Sequence, residues 1–270
     1  MTTGMFVWRE LSTRDPEAAT RFYGEVFGWK VTTVPMGENY TYYLVHNGEN
    51  QVGGFSPKSP DDKSPDGWVG YVHVADVDAA AAAARAHGAR ELVPPSDIPN
   101  VGRFSLFADP QGAMLTLFKS KTEGQAPKGP PPVGDFCWEQ LNTTDVAAAK
   151  AFYTAVLPWR AGSFLDSETF NAGEAPVASL RAAPPGVPAH WLSHVVVDDL
   201  AGARAGVSQR GQGDDRRDPR AGHRCVRGGE RPRGRGDLPL QGPVRGSVSP
   251  SSRMRRQSVT RLMPRIFAAR

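Results

Sequence analysis

FVWRELSTRDPEAATRFYGEVFGW (residues 6–29) returns as FCWEQLNTTDVAAAKAFYTAVLPW (residues 136–159), with Trp8, Leu11, Thr13, Asp15, Ala18, Phe22, Tyr23 and Trp29 recurring at one fixed spacing. Self-similarity of this length at constant offset marks a duplicated domain. A second landmark, DGWVGYVHVADVDAAAAAARAHGA (residues 66–89), returns as AHWLSHVVVDDLAGARAGVSQRG (residues 189–211). The third, IPNVGRFSLFADPQGAMLTLFK (residues 98–119), has no second copy, because the chain runs instead into Arg, Gly and Pro. The 270 residues therefore divide into a first domain at 1–122, a Pro/Gly linker at 123–134, a truncated second domain at 135–205 and a tail at 206–270.

The formal net charge of +4 describes neither half. Through residue 200 there are 15 Lys and Arg against 23 Asp and Glu; from residue 201 there are 17 against 5. A basic tail invites a nucleic-acid-binding reading. Its composition opposes that, since all 17 basic residues are Arg and the lone aromatic is Phe267.

G+C-rich coding DNA read out of frame gives such a mixture. Moving each codon boundary after about Gln209 one nucleotide downstream lets residues 230–243 encode Ser-Asp-Pro-Glu-Gly-Ala-Val-Ile-Ser-Leu-Phe-Lys-Gly-Pro, a counterpart of ADPQGAMLTLFKS. Asp237 followed by Leu permits only Ile or Thr, Gln241 followed by Gly permits only Lys or Arg, and Val244-Arg245 admits a stop. The tail is read as frameshift-derived and disordered, with little order beyond 206; the competing reading is a regulatory tail.

Cys137 and Cys225 suggest no disulfide framework. The N-terminus has no basic segment leading into an apolar core, and no apolar run nears membrane-spanning length. A soluble cytoplasmic protein is expected, with no membrane partner and an oligomeric state left open.

Alternation opens each domain with a strand, placing Phe6, Trp8 and Glu10 on one face and Val7 and Leu11 on the other. A helix follows, with Asp15 as N-cap, Pro16 at its first position and Gly28 at its C-terminal left-handed position. Strands are expected at 30–34, 40–46 and 51–55, the last two joined at Asn47-Gly48. The order repeats with a strand at 69–74, a helix capped by Asp76 and ended by Gly88, and strands near 91–93, 102–107 and 113–118. The first domain is thus two βαβββ modules, the second has one module at about 136–182 and another that fails after its strand and helix, and the fold class is α+β, two tandem domains with the second incomplete. The linker EGQAPKGPPPVG reads as a stiff polyproline-type spacer.

Trp8, the Glu10/Gln140 position, Thr13, Asp15, the Phe22-Tyr23 pair and DPQGAMLTLF together resemble the vicinal oxygen chelate superfamily of glyoxalase I, bleomycin-resistance proteins and extradiol dioxygenases. The double copy is similar to its tandem glyoxalase-like or hydroxylase branch. The resemblance implies paired modules whose sheets wrap into a U-shaped cleft for metal and ligand. It also implies metal-ligand positions at Trp8 and Trp138, at Val69 and Leu192, and at Thr116. None of these is a normal ligand for the family's ions, so a family-type divalent metal, or any other cofactor, is not expected.

Period-two alternation sets Trp8, Glu10 and Ser12, then Val69, Tyr71 and His73, then Met114, Thr116 and Phe118 along the cleft. Trp138, Gln140, Leu192 and His194 form the matching set in the second domain. Glu10 is the candidate general base, or else a solvated strand carboxylate. His73 is its candidate proton shuttle, or else a wall residue. Trp8, Tyr71, Thr116, Trp138, Gln140 and His194 are candidate ligand contacts, and each tryptophan either stacks on a planar ligand or fills volume. Two functions follow: metal-independent lyase, isomerase or hydroxylase chemistry on a small organic metabolite, or binding and sequestration of an antibiotic-type molecule.

Overall fold

A computed structural model describes residues 3–36, 40–122, 130–164, 167–203, 207 and the backbone of 223–226. Residues 204–206, 208–222 and 227–270, nearly all of the tail read as frameshifted, lie outside the described residues.

The first domain runs β1 (Phe6–Thr13), α1 (Pro16–Phe27), β2 (Lys30–Pro35), β3 (Thr41–Asn47), β4 (Asn50–Pro57), β5 (Gly67–His73), α2 (Val77–Ala86), β6 (Arg90–Ile98), β7 (Gly102–Ala108) and β8 (Met114–Ser120). The second runs β9 (Phe136–Thr143), α3 (Val146–Val156), β10 (Trp159–Phe164), β11 (Ser167–Ala172), β12 (Ala175–Ala182), β13 (His190–Val197) and β14 (His223–Val226). Its class is α+β. Each helix begins where an aspartate accepts from the backbone N–H three residues on: Asp15 from Ala18, Asp76 from Ala79, Asp145 from Ala148. Gly28, at φ 72°, ends α1.

The first sheet has the order β2-β3-β4-β1-β5-β8-β7-β6. Its two modules meet where β1 pairs antiparallel with β5, so module pairing is within a domain. The second sheet, β10-β11-β12-β9-β13-β14, repeats this order. In the segment expected to lack order, β14 pairs parallel with β13, in the slot that β8 takes beside β5. An open strand edge accepts such pairing.

A bulge between Phe6 and Trp8 changes one expected placement. The extra residue turns Phe6 to the face opposite Trp8 and Glu10. There its ring lies 5.8 Å from Trp159 and 5.5 Å from Trp191. Phe136 does the same beside an irregularity at His194/Val195, 5.4 Å from Trp29 and 5.3 Å from Trp68.

These helix-side faces join the two copies through reciprocal contacts. Trp29 Nε1 donates to Gly134 O at 2.7 Å, and its repeat mate Trp159 donates to Gly4 O at 2.7 Å. A Cβ on Gly134, at φ 88°, would lie 2.7 Å from Asn47 Nδ2. The end of the linker is therefore built into the interface instead of acting as a free spacer. At the centre, Arg9 Nε donates to Glu139 Oε1 at 2.7 Å, with side chains 7% and 1% exposed. These two are also repeat mates. Ser193 Oγ donates to the other Glu139 oxygen at 2.7 Å, and the Arg9 guanidinium lies over the rings of Phe6 and Phe136. At one end, the DPQG turn reaches across, where Asp109 accepts from Tyr153 Oη at 2.9 Å and Gln111 Oε1 accepts from the Asp145 backbone at the start of α3.

Candidate functional site

Glu10 stands on the other face of the first sheet, with Gly54 of β4 on one side and Val69 of β5 on the other. Its carboxylate accepts from the hydroxyls of Tyr42 on β3 and Tyr71 on β5. Behind Tyr42, Trp8 Nε1 donates to the phenol oxygen at 2.9 Å. Behind Tyr71, the Thr116 hydroxyl of β8 donates to the other phenol. Two donor relays thus converge on one acceptor, with the two phenol hydroxyls as its donors.

Gly54 makes half of this arrangement. A Cβ there would lie 2.0 Å from Tyr42 Oη and 2.3 Å from its Cζ, so the phenol crosses β4 only because the strand carries no side chain at that point. Tyr40 stands at the rim, 39% exposed, sharing a 2.8 Å hydrogen bond with Ser56 Oγ.

Burial pushes the Glu10 carboxyl up to about 7, against the opposing pull of the two tyrosine hydrogen bonds. Burial, and then the Glu10 charge, hold the Tyr42 hydroxyl well above its ordinary range; Tyr71 is raised by the same two causes. A carboxyl that exchanges its proton near neutrality, on a sheet face with limited access, can serve as acid and as base.

The other expected residues fall into place around this centre. Trp8 is 5% exposed; it is a wall and a hydrogen-bond donor, with little ring face left for stacking. His73 is not beside Glu10. Trp8 and Tyr71 are paired across β1 and β5, Glu10 is opposite Val69, and His73 lies four residues farther along, opposite Phe118. At about 3.3 Å per residue, strand geometry sets His73 about 13 Å from Val69. In the second domain Trp138 is half-buried, with Nε1 donating to Ser179 Oγ at 3.0 Å. Gln140 takes the Glu10 position beside Leu192, and His194 takes that of Tyr71 opposite Trp138. Burial lowers the His194 pKa, so its imidazole favours the neutral form.

The resemblance places a divalent metal at Trp8, Val69 and Thr116. These residues do not fit one: the indole N–H is a donor fixed on Tyr42, Val69 has no donor atom, and the Thr116 hydroxyl is committed to Tyr71. Among the described residues no group of three or more His, Cys, Asp or Glu is placed to hold an ion. Tyr42 was missed by sequence reasoning. Its available signal was Gly53-Gly54 inside a strand, which marks close approach of another group.

The glyoxalase/bleomycin resistance protein/dioxygenase superfamily model matches residues 6–117. The putative glyoxylase CFP32 of Mycobacterium bovis is 38% identical over 118 residues, 43% of this chain and 44% of that protein, so the chain spans under half the length of that relative. The anthracycline biosynthesis protein DnrV of Streptomyces peucetius is 28% identical over 216 residues, covering 73% of this chain and 78% of that one. Among solved structures, a Mn(II)-bound glyoxalase from Novosphingobium aromaticivorans aligns with a TM-score of 0.51 at 16% identity, covering 78% of this chain and 72% of that one. Native homoprotocatechuate 2,3-dioxygenase from Arthrobacter globiformis aligns with a TM-score of 0.52 at 14% identity, covering 78% of this chain and 69% of that one. At such identities the likeness is one of fold. The family model, the βαβββ order and the sheet topology agree in residues 6–117, where the chain is similar to the glyoxalase/bleomycin resistance protein/dioxygenase superfamily.

Proposed function

We propose that the first domain binds a small carbonyl-bearing or aromatic metabolite on the Glu10 face and that Glu10 moves a proton on it without a metal. The reading rests on a carboxyl poised near neutrality at the meeting point of two hydroxyl relays. Glu10 accepts the proton of a C–H bond next to a carbonyl, the electron pair passes into the enolate, and Glu10 returns the proton to the same or a neighbouring carbon. Tyr42 and Tyr71 hold the carboxylate in place and stabilise its charged form. Relatives named as anthracycline biosynthesis proteins support a planar, oxygenated ligand.

The test is exchange of ligand C–H for solvent deuterium, followed by NMR for a panel of small hydroxyketones and aryl ketones near neutral pH. Exchange in the parent and its loss in Glu10→Gln support the base. A ligand that binds tightly without exchange leaves the alternative, sequestration. That reading has its own support, since both phenol hydrogens are already committed to Glu10 and are not free to act on a ligand.

A further inference from the structure

We infer that the open face of the second sheet is a separate site for a planar organic carboxylate, with Arg181 gripping the anion and Trp138 flooring the ring. Cross-strand pairing sets Arg181, Asn142 and His190 in one row and Ser179, Gln140 and Leu192 in the next, with Trp138 beside His194 beyond. Arg181 Nε donates to Asn142 Oδ1 at 2.9 Å. Gln140 Nε2 donates to the same Asn142 oxygen at 2.9 Å; with the amide turned, Gln140 gives up that bond and its oxygen accepts from Arg181 Nε at 2.9 Å and from an outer guanidinium nitrogen at 3.3 Å.

Asn142, itself 2% exposed, is braced by a 3.2 Å contact to His190 Nε2, and His190 Nδ1 lies 2.8 Å from Pro188 O. Since that carbonyl can only accept, the network assigns a proton to Nδ1 and makes Nε2 the acceptor of the Asn142 amide. Arg181 is therefore positioned by amide oxygens, which orient a guanidinium without cancelling its charge. Among the described residues Arg181 has no carboxylate within ion-pair distance, a state it shares with Arg21, Arg90 and Arg160, whereas Arg9, Arg14, Arg85 and Arg103 each have one.

A guanidinium fork with its charge uncompensated matches a carboxylate in two parallel hydrogen bonds. Trp138, half-buried and fixed by Ser179, adds an aromatic surface two rows away, which selects a flat ligand over a bare ion. The equivalent rows of the first sheet carry Glu10 with Ser12 and Ser56. The two open faces thus differ in charge and take different chemical groups.

Calorimetric titration of the full chain with 2-naphthoate, 2-naphthamide and inorganic phosphate tests this. Naphthoate is expected to bind at least about tenfold more tightly than the amide, the order of one charge-assisted hydrogen bond. Arg181→Gln is expected to weaken naphthoate by a similar factor, with Arg181→Lys intermediate and Glu10→Gln without effect. Equal affinity for the amide, or indifference to Arg181→Gln, overturns the site. Phosphate binding as tight as naphthoate overturns the aromatic assignment. Loss of naphthoate binding in Glu10→Gln overturns the location by placing the ligand on the first sheet, a result separate from any failure of proton exchange there.

Discussion

Replacing Glu139 by Gln keeps the shape of the side chain but leaves the Arg9 guanidinium buried at the domain interface without its hydrogen-bonded carboxylate, with Asp135 as the more distant opposite charge. The two side chains are 7% and 1% exposed and meet at 2.7 Å. With charge centres about 4 Å apart and an effective dielectric near 20, their attraction is about 4 kcal/mol. Breaking a buried pair from one side costs about 3–5 kcal/mol, chiefly through the stranded charge. With a urea m-value of about 2 kcal/mol/M, Glu139→Gln should move the unfolding midpoint down by about 2 M. The triple variant Arg9→Met, Glu139→Met, Ser193→Ala removes both charges and the hydroxyl that donates to Glu139, and it should recover most of the loss. Both are read by urea titration followed by tryptophan fluorescence. A single variant costing under about 1 kcal/mol, or a triple variant no more stable than the single, refutes the desolvation reasoning.

Glu10→Gln should be more stable than the parent at pH 8. The folded-state carboxyl is pushed up to about 7 from an ordinary 4.5, so the unfolded chain releases its proton first and the parent loses stability as pH rises between those values; melting curves from pH 4 to 8 that stay parallel for the two proteins would falsify this. Gly54→Val should expel the Tyr42 ring, whose Oη lies 2.0 Å from the built Cβ, costing about 1–3 kcal/mol; pairing it with Tyr42→Ala should restore stability, and the absence of rescue in a thermal melt counts against the close approach. A chain carrying the shifted reading after Gln209 brings an Asp-Pro-Glu-Gly turn to the interface. As Asp109 accepts from Tyr153 at 2.9 Å, the new aspartate is expected to accept from Tyr23, raising the melting temperature by about 2–4 °C per kcal/mol gained. A rise unchanged by Tyr23→Phe refutes that contact.

The repeat made most of the fold legible. Asp15, Pro16 and Gly28 fixed the bounds of α1, and the copy at Asp145 fixed the start of α3. Glu10 was legible because strict alternation from Trp8 puts it on the open face. Phe6 was misplaced by the same alternation, since a bulge is set by how two strands pair and leaves no mark on one strand's pattern. The Tyr42 contact needed the knowledge that β3 and β4 are neighbours. His73 was drawn to Glu10 by facing, and its distance became visible only with the register. Arg9 drew no reading from the sequence, because its partner, lying in the other copy at the same place in the repeat, leaves no local signal.

That pairing of equivalent positions bears on how the two copies choose each other. Around a twofold axis, a residue at the centre of the interface meets its own counterpart. Two identical first domains meeting in this way would set Arg9 against Arg9 in a buried, aromatic-walled slot, and two identical second domains would set carboxylate against carboxylate. Each like-charged arrangement is unfavourable, and the mixed one forms an ion pair at 2.7 Å. Once one copy carried Arg and the other Glu, self-association through this surface was disfavoured and union within a single chain was favoured. A contact that adds little net stability compared with an apolar pair can therefore act as the rule of mating between the halves, deciding which surface each accepts.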